Sequence, residues 1–399
     1  MNKQFSPFSI EELIPQEEKL EIQKTKGELF IGLPKETYFE EKRICLTPDA
    51  VAAMIQAGHR VVVETGAGKG ANYTDQNYSE SGAKIAYNPE EVFGCTIILK
   101  ISPPSLKEID LIKPQTILVS TLQLKTQSKK YFEALATKRI TAIAFDFIRD
   151  SEGMYPVVQS LSEIAGTASI LIAAELMSTQ NKGNGLLLGN IAGVPPAEVA
   201  IIGAGTVGEF ATKSAIGLGA SVKVFDNSIS KLRQLQKNIH KPIYTSTLQL
   251  RTLQKALMRC DVLIGAIRGK SRAPVVISDE MVQLMKPGAV IVDVSIDRGG
   301  CIETSEVTTH SQPTFEKHGV IHYCVPNIPS RYSRTATVSI SNILTTFLLD
   351  IADEGGFEIA FRNERTLRSG MYYYHGILTK KAVGEWFNLP FNDINLLIL

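Results

Sequence analysis

The stretch EVAIIGAGTVGEFATKSAIGLGASVKVFD, residues 198–226, limits the folds open to this chain more than any other. An apolar run ends in Gly203-Ala-Gly205-Thr206-Val207-Gly208, a helical pattern follows, and a second apolar run ends in Asp226. That order predicts a strand, a tight turn, a helix and a parallel strand. Gly203 suits the sharp exit from the strand, Gly205 lets backbone come close to a ligand, and Gly208 lets the helix lie against the strand. The amides of Thr206 and Val207 open the helix, where unpaired N–H groups and the positive dipole end attract an anion. A glycine triplet alone is compatible with a surface turn. With both strands, the helix and an acid near the ~20-residue spacing, the segment predicts a dinucleotide site. A carboxylate at Asp226 accepts from the ribose hydroxyls and repels a 2′-phosphate, and Asn227 and Ser228 bring no cation to reverse this. The expected cofactor is NAD.

At 399 residues the chain exceeds one ordinary core of roughly 100–200 residues, so two sizeable domains are expected. Its 42 basic and 41 acidic side chains leave no overall field to hold a polyanion, which argues against a nucleic-acid partner. Five scattered cysteines without Cys-x-x-Cys spacing read as reduced thiols rather than as a metal or redox site, and the location expected is cytoplasmic. Acidic residues stand where a signal peptide would be apolar, and no uninterrupted apolar run reaches the ~18 residues of a membrane span, so no membrane insertion is expected.

Residues 1–27 are polar and read as an N-terminal arm. From Leu29 onward, strand-like runs (LFIGL, RVVVET, TIILKI, TILVS, TAIAFDF) alternate with helical patterns near 49–58, 88–93 and 128–137, as in a mostly parallel α/β sheet. A long helix is expected from about Leu161 to Gln180 as the connector. The runs DVLIGAI, AVIVDVSI and VIHYCV continue the sheet begun by EVAII, SISNILTTFLLDIADEG reads as a long helix, and the last thirty residues read as small helices. The class expected from these patterns is α/β, in two halves that each carry a mostly parallel sheet.

From Ile31 to about Gly384 the chain resembles the alanine dehydrogenase and transhydrogenase alpha-subunit family. The resemblance rests on Ile31-Gly-Leu-Pro-Lys-Glu-Thr37, Arg43-Ile-Cys-Leu-Thr-Pro48, Glu64-Thr-Gly-Ala-Gly68, Ser162-Glu-Ile-Ala-Gly166, the glycine loop, Met285-Lys-Pro-Gly-Ala289, Asp293-Val-Ser-Ile-Asp-Arg-Gly-Gly-Cys301 and Tyr323-Cys-Val-Pro-Asn-Ile-Pro329. It implies two Rossmann-like doubly wound domains with a cleft between them, residues 28–160 with 334–399 as the substrate domain and residues 161–333 as the NAD-binding domain, in a homo-oligomer, dimer or hexamer, that interconverts a small 2-amino acid such as L-alanine with its 2-oxo acid and ammonia. Arg43 matches the family's carboxylate-binding arginine, Asp297 its catalytic aspartate, Ser162 a residue touching the dinucleotide phosphates, and Asn327 one near nicotinamide and substrate. From the residues alone, Arg43 could instead pair with Glu40 or Glu41 at the surface, Asp297 could cap the turn before Gly299, and Ser162 and Asn327 could be structural caps.

Two positions depart from alanine dehydrogenases. The family's Lys-Val-Lys-Glu-Pro is here Lys100-Ile-Ser-Pro-Pro104, so Ser102 stands where the substrate-contacting lysine is expected. Lys100 lies one rung, about 7 Å, away on the same strand face and is the candidate to compensate. Gln123 replaces a substrate-contacting histidine; it can hydrogen-bond a carbonyl or carbinolamine oxygen but does not titrate near neutral pH. Both departures bring this region closer to transhydrogenase alpha subunits, so two further readings stay open: an NAD(H)-binding subunit with a membrane partner, and a catalytically silent NAD-binding regulator.

Overall fold

The computed structural model describes residues 27–269, 272–363 and 365–398, so the expected N-terminal arm, Gly27 apart, lies outside the described residues. The apolar runs pair into two sheets. β1 (Phe30–Leu33), β2 (Arg60–Glu64), β3 (Lys84–Ala86), β4 (Ile97–Leu99), β5 (Ile117–Ser120) and β6 (Thr141–Ala144) belong to the first. β7 (Glu198–Ile202), β8 (Ser221–Phe225), β9 (Tyr244–Ser246), β10 (Val262–Gly265), β11 (Val290–Asp293), β12 (Thr314–Lys317) and β13 (Val320–Tyr323) make the second. β14 (Met371–Tyr374) and β15 (Ile377–Leu378) return to the first sheet, whose order is β15-β14-β6-β5-β4-β1-β2-β3; the second runs β12-β13-β11-β10-β7-β8-β9. All pairings are parallel except those made by β12, β14 and β15.

One winding plan serves both sheets. The chain runs outward from β1 to β3, then starts again beside β1 and runs the other way from β4 to β6; β7–β9 and β10–β13 repeat this. Strand order reverses between β1 and β4 and between β7 and β10, and a doubly wound sheet binds its ligands beyond the carboxyl ends of the strands at such a reversal. The loops that leave those points carry Glu36–Arg43, Lys100–Ser102 and Gly203–Gly208.

Two helices, α1 (Pro156–Leu176) and α3 (Ser333–Asp353), join the halves, and α2 (Thr206–Gly217) of the second half packs against α1. The connector begins at Pro156, in the first turn where proline's missing N–H costs nothing, rather than near Leu161, and it crosses the expected boundary at 160/161. Val157 packs in the core of the first sheet, while Ala165, Ala168 and Ala173 pack in the core of the second. Gly166 brings α1 against α2, since a Cβ there would stand 2.4 Å from the Val207 carbonyl oxygen. α3 returns to the first sheet and buries Ile340, Leu344, Leu348 and Ile351 in its core. By length and composition α1 and the stretch Ile328–Asp353 are apolar enough to cross a membrane, because isolated charges such as Glu175 interrupt a run without lowering its average much. Here their apolar faces line the two cores.

The end of the chain departs from the expectation of small helices alone. Helices Lys381–Phe387 and Ile394–Leu397 are present, but Met371–Tyr374 pairs antiparallel with β6 and covers that edge. Its Tyr372 hydroxyl meets that of Tyr131 at 3.0 Å. The run of aromatic residues is a strand signal, and burial against β6 satisfies it. β3, β9 and β12 carry too few apolar residues to stand out in the sequence.

Candidate active site

On the second sheet's carboxyl edge the glycine loop has the geometry its spacing implies. Gly203 adopts φ +113°, and a Cβ there would meet the Ala266 carbonyl oxygen at 2.4 Å. A Cβ on Gly208 would stand 1.9 Å from the Gly203 carbonyl oxygen, so only glycine lets α2 start this close to β7. Gly205 differs, because nothing lies within 4 Å of its Cβ position. That open space adjoins the first N–H groups of α2, as a pyrophosphate requires. Asp226 accepts from Ala204 N at 2.9 Å and from Ser228 N at 2.7 Å, which ties the acid and the glycine loop into one unit. Ser162 lies one turn before Gly166 on α1 and is no helix cap; its hydroxyl donates to Val158 O at 2.6 Å and keeps its lone pairs free. These residues fit a dinucleotide.

After β11 the chain turns through Val294–Arg298. Asp293, fully buried, holds the turn by accepting from Ser295 N (3.0 Å), Cys301 N (3.1 Å) and Ser305 Oγ (2.8 Å). The capping role open to Asp297 therefore falls to Asp293. Asp297 instead accepts from Asn327 N at 2.9 Å. The residue is exposed, so its carboxylate is open to an incoming molecule. The surrounding protein raises its carboxyl above the usual range, against the opposing pull of the Asn327 amide and of Arg43 and Arg298.

Arg43 comes from the other domain. It is buried, and its Nε and Nη2 donate to Glu41 Oε1 (2.7 Å) and Oε2 (2.6 Å). The partner is Glu41 rather than Glu40, and the pair lies inside the protein. Five N–H bonds fan out from a guanidinium, so the side-on edge is filled while the end-on edge, Nη1 with the second Nη2 hydrogen, remains for another carboxylate. Burial pushes Glu41's carboxyl up, but the charge and hydrogen bonds of Arg43 outweigh this and hold it below the usual range. α3 fixes the loop, since Ile44 N donates to Thr337 Oγ1 (3.1 Å) and Thr47 N to Ser341 Oγ (3.0 Å).

Glu40 and Glu41 also clasp the two domains. Glu40 accepts from His310 N (2.7 Å) and Ser311 N (2.9 Å), and Asn327 Nδ2 donates to Glu41 Oε2 (3.1 Å). Asn327 sits at φ +57°, a left-handed conformation that asparagine tolerates. It thereby touches Asp297 through its backbone and Glu41 through its side chain. Arg43, Glu41, Asn327 and Asp297 form one chain of contacts across the cleft.

Lys100 takes another course. Its ammonium is buried between Glu36 Oε2 (2.9 Å) and Glu108 Oε1 (3.6 Å), leaving one of three N–H groups uncommitted. Burial lowers the ammonium, but the two carboxylates more than restore its charge. Glu36 further accepts from Ile101 N at 2.6 Å. The Ser102 hydroxyl is buried without a partner among the described residues. Gln123, at φ +43°, donates through Nε2 to Thr121 Oγ1 (3.2 Å), while its side-chain Oε1 has no hydrogen-bond partner among the described residues. The sequence patterns offered Glu41 only as a surface partner of Arg43 and gave no role to Glu36 or Asp146; a carboxylate just past a parallel strand was the available signal for those two.

Sequence profiles described as "Alanine dehydrogenase/PNT, N-terminal domain" and "Alanine dehydrogenase/PNT, C-terminal domain" match residues 32–165 and 169–381. An alanine dehydrogenase of Methanococcus maripaludis is 39% identical over 366 residues, 91% of this chain and 98% of that protein. One of Bacillus subtilis is 38% identical over 90% of this chain and 94% of its own length. A solved L-alanine dehydrogenase superposes with a TM-score of 0.85 at 34% identity, covering 90% of this chain and 99% of that one. A transhydrogenase structure from Sinorhizobium meliloti shares the fold at a TM-score of 0.76 and 24% identity, covering 88% of this chain and 99% of that one. With both halves of its length matched, the chain belongs to the alanine dehydrogenase/PNT family.

Proposed function

We propose that this chain is an NAD-dependent alanine dehydrogenase, which converts L-alanine reversibly to pyruvate and ammonia. The observation that carries this reading is the free end-on edge of Arg43, linked through Glu41 and Asn327 to Asp297 beside the dinucleotide loop. Bound there, NAD would accept the α-hydrogen of the amino acid as hydride. The chain's own residues do the rest. Arg43 binds the substrate carboxylate with two parallel hydrogen bonds, and Glu41 fixes the plane in which they point. Asp297, its carboxyl raised above the usual range, moves the proton of the water that adds to the imine carbon. Gln123 offers a carbonyl acceptor, and Lys100 contributes its charge from behind Glu36. Ser162, Thr206, Val207 and the three loop glycines hold the phosphates, and Asp226 sets the preference for NAD.

The protein acts in the cytoplasm as a homo-oligomer in this reading. The transhydrogenase alternative is supported only by fold and by the Ser102 and Gln123 positions, whereas the relatives at 38–39% identity along nearly their whole length are alanine dehydrogenases. The test is NADH consumption with ammonium and a panel of 2-oxo acids. Pyruvate is expected to be turned over fastest. NADH binding without turnover would favour the silent regulator, and co-purification with a membrane partner the transhydrogenase subunit.

A further inference from the structure

We propose that Asp146 is the proton acceptor on the substrate side of the cleft, taking one proton from the ammonium group of the incoming amino acid; this rests on the dehydrogenase reading above. Asp146 follows β6 directly and so stands at the same carboxyl edge as Lys100, Ser102 and Gln123. The amide of Leu122, the residue before Gln123, faces its carboxylate. One oxygen, Oδ1, is sealed from solvent and has no hydrogen-bond partner among the described residues. A buried carboxylate oxygen with no donor is costly when ionised and tolerable when protonated. Asp146 therefore has a reason to hold a proton that the better-satisfied Asp293 and Glu41 lack.

Cations face it from two elements, and neither forms an ion pair with it among the described residues. Lys380, from the C-terminal segment, donates to Ser369 O at 3.0 Å and lies 4.7 Å from the centre of the Phe147 ring. Arg149 repels Lys380 but turns its own guanidinium to the Tyr155 hydroxyl at 2.7 Å. Arg298 faces Asp146 from the opposite domain, next to Asp297, and Arg268 repels it. The nearby Tyr372 hydroxyl stays protonated, because burial drives it far above the neutral range. Asp146 and Asp297 thus stand on facing walls with Arg298 between their fields.

The proton step balances simply. The ammonium R–NH3+ and the Asp146 carboxylate become R–NH2 and the carboxylic acid, and the freed nitrogen lone pair drives C=N formation as the α-hydrogen leaves to the nucleotide. The other carboxylates on this wall, Glu36 and Glu108, are already engaged with the Lys100 ammonium. Gln123 does not titrate, and Lys100 is kept charged by Glu36 and Glu108. Burial brings the Asp146 carboxyl up to about 6, close to the operating range of a general base.

The experiment measures kcat/KM for L-alanine against pH on the full chain at saturating NAD. Wild type is expected to lose activity tenfold per pH unit below about 6, since the base must be ionised. In reductive amination the same group must be protonated, so its limb appears on the alkaline side. Asp146→Asn should lower kcat on the order of 10²-fold or more and erase the limb. Asp146→Glu should keep it, and Arg298→Gln should move it to higher pH by removing a cation that favours the carboxylate. A carboxylic-acid infrared band that titrates in the free protein should vanish in Asp146→Asn, while unchanged NADH fluorescence titration shows the variant folded. An Asp146→Asn enzyme that retains the limb, or an infrared band that does not change, overturns the proposal alone. A wild type that turns over no 2-oxo acid overturns the dehydrogenase reading, and this one with it.

Discussion

Gly203–Gly208 and Glu36–Arg43 occupy equivalent places, each leaving the first strand of its sheet where the strand order reverses, yet they make a site by opposite means. The cofactor loop works through backbone. Its glycines remove side chains so that amides of α2 reach an anion, and no charged group needs to be neutralised. The substrate loop works through charge. It carries Glu36, Glu41 and Arg43 inward and sets Glu40 nearer the surface, each matched by a named partner. A backbone site is set by steric rules that any sequence must obey. A charge site depends on which acid meets which base, and that is decided only when the two domains close on one another.

The comparison can be broken most sharply at Asp297. Asp297→Ala should lower kcat about 10²–10⁴-fold while leaving NADH affinity nearly unchanged, as compared in steady-state kinetics and fluorescence titration. An equal loss of both would mean that the residue only holds the turn. Next in size is Glu41→Gln, which leaves Arg43 buried beside a neutral amide and should cost about 3–5 kcal/mol in chemical denaturation. The pH sign follows from the depressed carboxyl of Glu41. Its stabilisation is complete above the unfolded carboxylate range of about 4.3 and is lost as pH falls through the lower folded value, so wild type should lose stability in acid more steeply than Glu41→Gln.

On the cofactor side, Gly208→Ala places a methyl group against the Gly203 carbonyl oxygen. It should destabilise by about 1–3 kcal/mol and weaken NADH binding together, because loop and helix shift as one. The smallest effect is expected at Asp226. Asp226→Ser removes a charge-assisted acceptor, so NADH affinity should fall about 10–100-fold while NADPH affinity rises. A change in NADH affinity without any gain for NADPH would confine Asp226 to its hydrogen bonds with Ala204 and Ser228.

The same contrast explains how much was legible in the sequence. The glycine loop, Asp226 and the alternating strands follow from local rules, and they reappear with the expected neighbours. Family motifs pointed to Arg43, Asn327 and Asp297, which the fold links across the cleft. Nothing local showed that Arg43 would be held inside by Glu41, because adjacent opposite charges on a loop usually pair at the surface. Lys100 looked free to reach a substrate, since Glu36 and Glu108 lie 64 and 8 residues away in sequence and meet it only after β1, β4 and the next helix pack. The C-terminal hairpin was missed for a related reason: its partner, β6, precedes it by more than two hundred residues.

The central claim is that a backbone-built cofactor site and a charge-built substrate site together perform reductive amination. Incubating the purified chain with NADH and pyruvate, with and without ammonium, tests it most directly. NADH oxidation is expected to require ammonium and to yield L-alanine in equal amount. Oxidation that proceeds without ammonium, or NADH that binds and is never consumed, would contradict it.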